Sequence, residues 1–178
     1  MQAIKELPGE INLELPGSQQ VRTVHASMSG FRKRIYPHTP QEEITRLIAP
    51  GPDLIMVGHT HKPLICTSGK TTVVNAGSVG FPFDRDSRPS YARIQGKNSS
   101  WQAKIVRIDY DHQEAVNDFY QTGFLPQAGP LAEIILEELK QARPLLSRWK
   151  RCCQQSVLAG EIKLETSVRR FLNSLDDH

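Results

Sequence analysis

The sequence predicts a mixed α/β domain followed by a mostly helical segment, with the change near residue 112. Three observations carry this. Leu54-Ile55-Met56-Val57 is a short unbroken apolar run between turn residues, the pattern of a strand buried on both faces. It follows directly on a stretch with helical spacing, which makes a helix-then-strand unit. Beyond residue 112 the alternating pattern of the first part gives way to apolar residues spaced three and four apart.

In chain order, Ile11 to Leu15 alternates apolar and polar residues, Pro16-Gly17-Ser18 supplies turn chemistry, and Val21-Arg22-Thr23-Val24 resumes the alternation. A hairpin is expected, with His25 at the end of its second strand. Residues 28–40 read as irregular. Thr39-Pro40-Gln41-Glu42-Glu43 reads as a helix start, with Thr39 as N-cap, Pro40 in the first helical position and acidic side chains in the first turn. Its apolar face is Ile44, Leu47 and Ile48, and it should stop before Pro50-Gly51-Pro52. After the 54–57 strand, Gly58 is expected to turn the chain sharply. A second hairpin follows, Leu64–Thr67 and Thr71–Val74 about Ser68-Gly69-Lys70. It runs into Asn75-Ala76-Gly77-Ser78-Val79-Gly80, whose small residues let backbone approach a neighbour closely. An arginine-bearing loop leads to strands at Tyr91–Ile94 and Ala103–Ile108. Leu131, Ile134, Ile135 and Leu139 mark the face of a helix, and Leu145–Leu158 and Leu164–Leu175 are further helix candidates. Residues 1–112 and 113–178 are thus expected as two parts, the second serving packing or contacts rather than chemistry.

Composition narrows the function classes. Apolar residues make up 38% of the chain and mean hydropathy is −0.42, while the longest apolar runs fall far short of the ~20 residues a membrane-spanning helix needs. The start, MQAIKELPGEINLEL, lacks the charged-then-apolar pattern of an export signal. Of three cysteines, Cys66 stands alone and Cys152 and Cys153 are adjacent, which suits a reducing compartment better than a disulfide framework. A cytoplasmic location is expected, with no membrane partner. The net charge of +3 is spread without a basic stripe or interleaved aromatics, so no nucleic-acid partner is expected. The cluster Arg32-Lys33-Arg34 reads as a solvated loop, with a role near an anionic substrate as the lesser reading.

The chemistry-bearing residues are His25, His59 and His61, each placed at or just past a strand end, where α/β sheets carry their sites. Imidazoles in such an arrangement suit a divalent metal, and the ligand type alone leaves Zn, Mn, Fe and Ni open.

The run Val57-Gly58-His59-Thr60-His61 after a buried strand, the upstream Val24-His25-Ala26-Ser27, and the hairpin leading into Asn75-Ala76-Gly77-Ser78-Val79-Gly80 together resemble the calcineurin-like metallophosphoesterase superfamily. The likeness is to its small bacterial phosphodiesterase branch, and the loop GFPFDRDSRPSYA, residues 80–92, fits that branch too. It covers roughly residues 10–110. The resemblance implies an α/β fold, the C-terminal half of a β-sandwich flanked by helices, with a helical extension. It implies two divalent ions, one bound by His25 and His59 and the other by His61, and a phosphoester small-molecule substrate attacked by a metal-bound water. Asn75 and Ser78 would support the site and Arg85 would face phosphate. A strand bearing Asp-x-His, a Gly-Asp-x-x-Asp segment and a Gly-Asn-His segment, which such enzymes carry upstream, do not occur. The bridging carboxylate and the histidine acid are therefore missing, and no catalytic acid or base is assigned here. The expectation is an N-terminally incomplete phosphoesterase, inactive alone and completed by a complementary N-terminal half. The alternative is a non-catalytic interaction or scaffold module.

Overall fold

In the computed structural model, which describes residues 6–16, 19–97 and 100–175, the apolar run at 54–57 is the middle strand of a five-stranded sheet. The strands are β1 (Glu10–Leu15), β2 (Gln19–Val24), β3 (Leu54–Val57), β4 (Leu64–Ser68) and β5 (Thr71–Asn75), in spatial order β1-β2-β3-β5-β4. β2, β3 and β5 run parallel, and antiparallel β1 and β4 close the two edges. Both expected hairpins are present; of the first turn, Gly17 and Ser18 lie outside the described residues.

The two-residue repeat of a strand assigns the faces. Ile55, Val57, Val73 and Val24 point to one side, where they pack on Ile44, Leu47 and Ile48 of helix α1 (Gln41–Ile48) and on Ile35. Leu54, Val74 and Val21 point to the other, where they meet Ala92, Ile94, Trp101 and Ala103 from a two-stranded sheet of β6 (Ser90–Lys97) and β7 (Ser100–Arg107). This is the mixed α/β sandwich expected. Ile55 and Val73 are wholly buried, and each contributes about 1.5–3 kcal/mol by leaving water. The exception is β1, where Ile11 and Leu13 stay 48% and 50% exposed despite their alternation.

The start of α1 differs from expectation by one residue. Pro40 itself is the N-cap, with no side-chain cap, and the Thr39 hydroxyl instead accepts from the Tyr36 N–H at 2.8 Å. A turn bond three residues back outcompetes the cap for that oxygen.

By contact, the chain divides into two units, Met1–Val79 with Pro89–Ile108, and Gly80–Arg88 with Asp109–His178. The second unit is helical: α2 (His112–Gln121), α3 (Phe124–Ala128), α4 (Leu131–Gln141), α5 (Leu145–Cys152), α6 (Gln154–Leu158) and α7 (Leu164–Asn173). Helix α2 goes beyond the sequence expectation, although Asp111 and Glu114 mark it. The Asp111 carboxylate accepts the Glu114 N–H at 2.9 Å as an N-cap. The 145–158 stretch is two helices, interrupted at Cys153. Helix α4 buries two faces: Ile134 packs with Leu145, Trp149, Val168 and Phe171, and Leu136 and Leu139 pack with Val116. That is why Leu136, rather than Ile135, is buried. Glu138 is also buried, and its carboxylate accepts the Leu146 N–H at 2.7 Å, capping the first turn of α5. Burial pushes the Glu138 carboxyl above its ordinary range, against the opposing pull of Leu146, Lys150 and Leu145.

Candidate functional site

The parallel strands β2, β3 and β5 end side by side, and the three ends are tied by backbone and one side chain. The Gly58 N–H donates to the His25 carbonyl at 2.9 Å, joining the exit of β3 to that of β2. A Cβ at Gly58 would sit 3.4 Å from that carbonyl, so the absence of a side chain suits the close approach. The sharp bend, however, is made elsewhere. His59 has φ +65° and His61 φ +56°, both left-handed, where a side chain bearing Cβ is strained by roughly 1–2 kcal/mol. The Thr60 N–H donates back to the Gly58 carbonyl at 2.7 Å across His59, closing a γ-turn of the rare positive-φ kind. Two histidines are thus held in a backbone form that glycine or asparagine would adopt more readily, and strain of this sort gathers at functional sites.

Asn75, the last residue of β5 and wholly buried, holds this turn. Its amide nitrogen donates to the Gly58 carbonyl and to the Thr60 hydroxyl, both at 2.9 Å, and its amide oxygen accepts the Gly77 N–H at 2.9 Å. One side chain therefore joins the His59–His61 turn to the small-residue loop. The Ser78 carbonyl accepts the Ser90 N–H at 3.0 Å, which fixes the far end of that loop. Gly77 has φ +90°, and a Cβ there would collide with the Ser90 hydroxyl.

The consequence is that His25 Nε2 and His59 Nδ1 lie 2.7 Å apart, with ring centroids 4.8 Å apart and the rings edge-on at 81°. Two lone pairs cannot face each other at that distance without a shared proton or cation. Two imidazole nitrogens bound about 2.1 Å from one ion at right angles would stand about 3.0 Å apart, close to what is seen. The pair therefore fits two neighbouring ligands of one metal ion. Burial lowers the pKa of His59, and Arg34, His25 and His61 lower it further, so the neutral, metal-binding form is favoured. Arg34 thus acts on the site from the basic loop, where its guanidinium also donates to the Tyr36 hydroxyl at 3.2 Å. The donor set stops at the pair His25 and His59, and His61 does not join it, since among the described residues no group of three or more His, Cys, Asp or Glu converges to hold a metal. Arg85 lies in the second unit, where its side chain is exposed and its backbone N–H donates to the Ala142 carbonyl.

An open groove of about 840 Å³ has His25 and Gly58 in its lining together with Leu7, Ile11, Phe31 and Met56. Leu7 and Phe31 are 68% and 64% exposed.

Residues 1–99 match the family model of the calcineurin-like phosphoesterase superfamily domain. The chain belongs to this superfamily. Among solved structures it is similar to a hypothetical protein from Pyrococcus horikoshii, at 19% identity and a TM-score of 0.65 over 78% of this chain and 52% of that one. It is also similar to a metallophosphoesterase from Sphaerobacter thermophilus, at 24% identity and a TM-score of 0.58 over 79% of this chain and 62% of that one. These likenesses are to the fold, and the chain spans only about half to three fifths of the length of either structure. No curated protein sequence matches it. Family membership assigns the protein to the calcineurin-like phosphoesterases, which as a family bind divalent metals. No helix among the described residues is long and apolar enough to cross a membrane.

Proposed function

We propose that this chain carries part of a dinuclear phosphoesterase centre, with His25 and His59 on one divalent ion, His61 on the second, and a phosphomonoester or phosphodiester as substrate. The observation that supports it is the 2.7 Å approach of the two ring nitrogens at the ends of adjacent parallel strands. The ions, of Mn, Fe, Zn or Ni, would supply an activated water and neutralise charge on the phosphoryl oxygens. The chain's own contribution is to hold neutral imidazoles in place. Gly58 sets the spacing of the two strand exits, Asn75 locks the turn, and burial lowers the pKa of His59 and so favours its neutral form. Ser78 supports the loop that Asn75 binds. The carboxylate ligands come from a complementary N-terminal half-domain that covers the half-exposed apolar face of β1 and the adjoining groove. The protein works in the cytoplasm.

The test is hydrolysis of an aryl phosphodiester with added manganese, by the 178 residues alone and together with a half-domain bearing Asp-x-His and Gly-Asn-His segments. Turnover is expected only in the second case, and His59→Ala should abolish it. Equal turnover by the chain alone would refute the shared centre. A second reading, a non-catalytic interaction module, is favoured by the apolar lining of the groove. It predicts that the complementary half binds, and that neither manganese nor His59→Ala alters that binding.

A further inference from the structure

We infer that the helical unit carries a binding site of its own for a small molecule with a phosphate group on an apolar body. The site is a cavity of about 450 Å³ between α5, α6 and α7, within the size range of small-ligand sites. Ser167, Arg170 and Phe171 of α7 and its C-cap Ser174 line it at positions i, i+3, i+4 and i+7, which is a single helical face. From the other side come Arg148 of α5 and Ser156 of α6.

Three features point to an anion. No acidic side chain lines the cavity, and neither Arg148 nor Arg170 has a carboxylate partner among the described residues. Arg148 is already positioned, with its guanidinium 5.8 Å from the centre of the Phe171 ring, so little freedom is lost when it takes an oxygen. Ser167 is 4% exposed, and its oxygen accepts the Trp149 indole N–H at 3.1 Å while its own proton has no acceptor among the described residues. A buried hydroxyl lacking an acceptor is a cost that a ligand oxygen would remove. The Cys153 thiol in the lining stays neutral, because burial and the neighbouring Cys152 push its pKa up to about 11.

The donors also select among anions. Two guanidinium forks and the Ser156 and Ser167 hydroxyls offer more hydrogen bonds than the two oxygens of a carboxylate accept, and match the three oxygens of a phosphate, while the Ser174 hydroxyl already donates to the Phe171 carbonyl at 2.7 Å. Phe171, which lines the cavity beside Arg148, gives the remainder of the ligand an apolar surface.

Trp149 reports directly on Ser167, so the test uses the indole N–H resonances of the full chain. Phenylphosphonate carries the dianion and the apolar body and is not hydrolysed. Titrating it is expected to shift the Trp149 signal saturably and to leave the Trp101 signal, identified with Trp101→Phe, in place. Arg170 is exposed, so Arg170→Gln should keep the melting temperature and weaken binding at least tenfold, whereas Arg170→Lys should lose less. Phenylacetate, with the same ring and a carboxylate, should bind at least tenfold more weakly than phenylphosphonate. The inference fails if millimolar phenylphosphonate leaves Trp149 unmoved, if Arg170→Gln binds as tightly as the parent, or if phenylacetate binds equally well.

Discussion

Replacing Asn75 by Ala removes the one side chain that joins the histidine turn to the loop after β5. The cost can be worked from its partners. The Gly77 N–H loses its acceptor, and the Gly58 carbonyl and the Thr60 hydroxyl each lose a donor. Asn75 and Thr60 are buried, so water replaces these bonds poorly. An orphaned buried donor costs about 1–3 kcal/mol, and the two acceptors, which keep other partners, cost less, for a total of about 3 kcal/mol. Against the roughly 5–15 kcal/mol that holds a domain together, this is a large loss. Urea unfolding followed by the fluorescence of Trp101, which packs in the first unit, in a Trp149→Phe background, measures it. Hydrogen exchange at the His59 and Thr60 amides reads whether the turn has loosened. Asn75→Asp keeps the acceptor for Gly77 but sets a buried carboxylate oxygen against the Gly58 carbonyl, so it should be no more stable than Asn75→Ala and should leave Thr60 equally unprotected. A loss below about 1 kcal/mol in Asn75→Ala, with unchanged exchange, would show that the turn holds itself and that the reasoning is wrong.

Three further outcomes are expected. His59→Gly should raise the stability of the first unit by several tenths of a kcal/mol to about 1 kcal/mol by relieving the left-handed backbone, and should abolish manganese or zinc binding measured by calorimetry. Gly77→Ala should destabilise by about 2 kcal/mol or more in urea unfolding, since its Cβ would displace the Ser90 hydroxyl from its bond to the Ala76 carbonyl at 2.6 Å and the backbone would be strained at φ +90°. The Glu138 carboxyl has a raised folded pKa, so the folded form binds more protons than the unfolded form above its ordinary value of 4.5. Its contribution to stability is full below 4.5 and is lost as pH rises through the folded value. Glu138→Gln keeps an acceptor for Leu146 and should flatten that dependence; thermal melts between pH 4 and 8 that show no difference from the parent would contradict this.

Much of the fold was legible because the local signals and the packing agree. The 54–57 run is apolar throughout because it meets a helix on one side and a second sheet on the other. Where packing overrides pattern, legibility ends. Helix α4 lies between two clusters, so a single amphipathic stripe misassigns Ile135 and Leu136, and nothing in the spacing shows that Glu138 caps a neighbouring helix. At the site, the residue types and strand-end positions of His25 and His59 could be read, but their 2.7 Å approach could not. It depends on a register between β2 and β3, two strands that residues 25–53 separate in sequence. The bend illustrates the same limit. Glycine is the residue one expects to turn the chain, yet the turn is made by the histidines beside it. The role of Asn75 had a partial signal, a strand-terminal Asn followed by small residues, whereas Arg34's influence on His59 had none beyond the basic cluster.

The left-handed histidines also bear on how this protein would respond to selection. A screen for thermal tolerance alone would enrich glycine, and to a lesser degree asparagine, at 59 and 61, because those residues adopt the same backbone at lower cost. A screen for hydrolysis would reject the same replacements. The two experiments, run on one library, should therefore diverge most sharply at these two positions, and the divergence itself would mark the site without any substrate being known in advance.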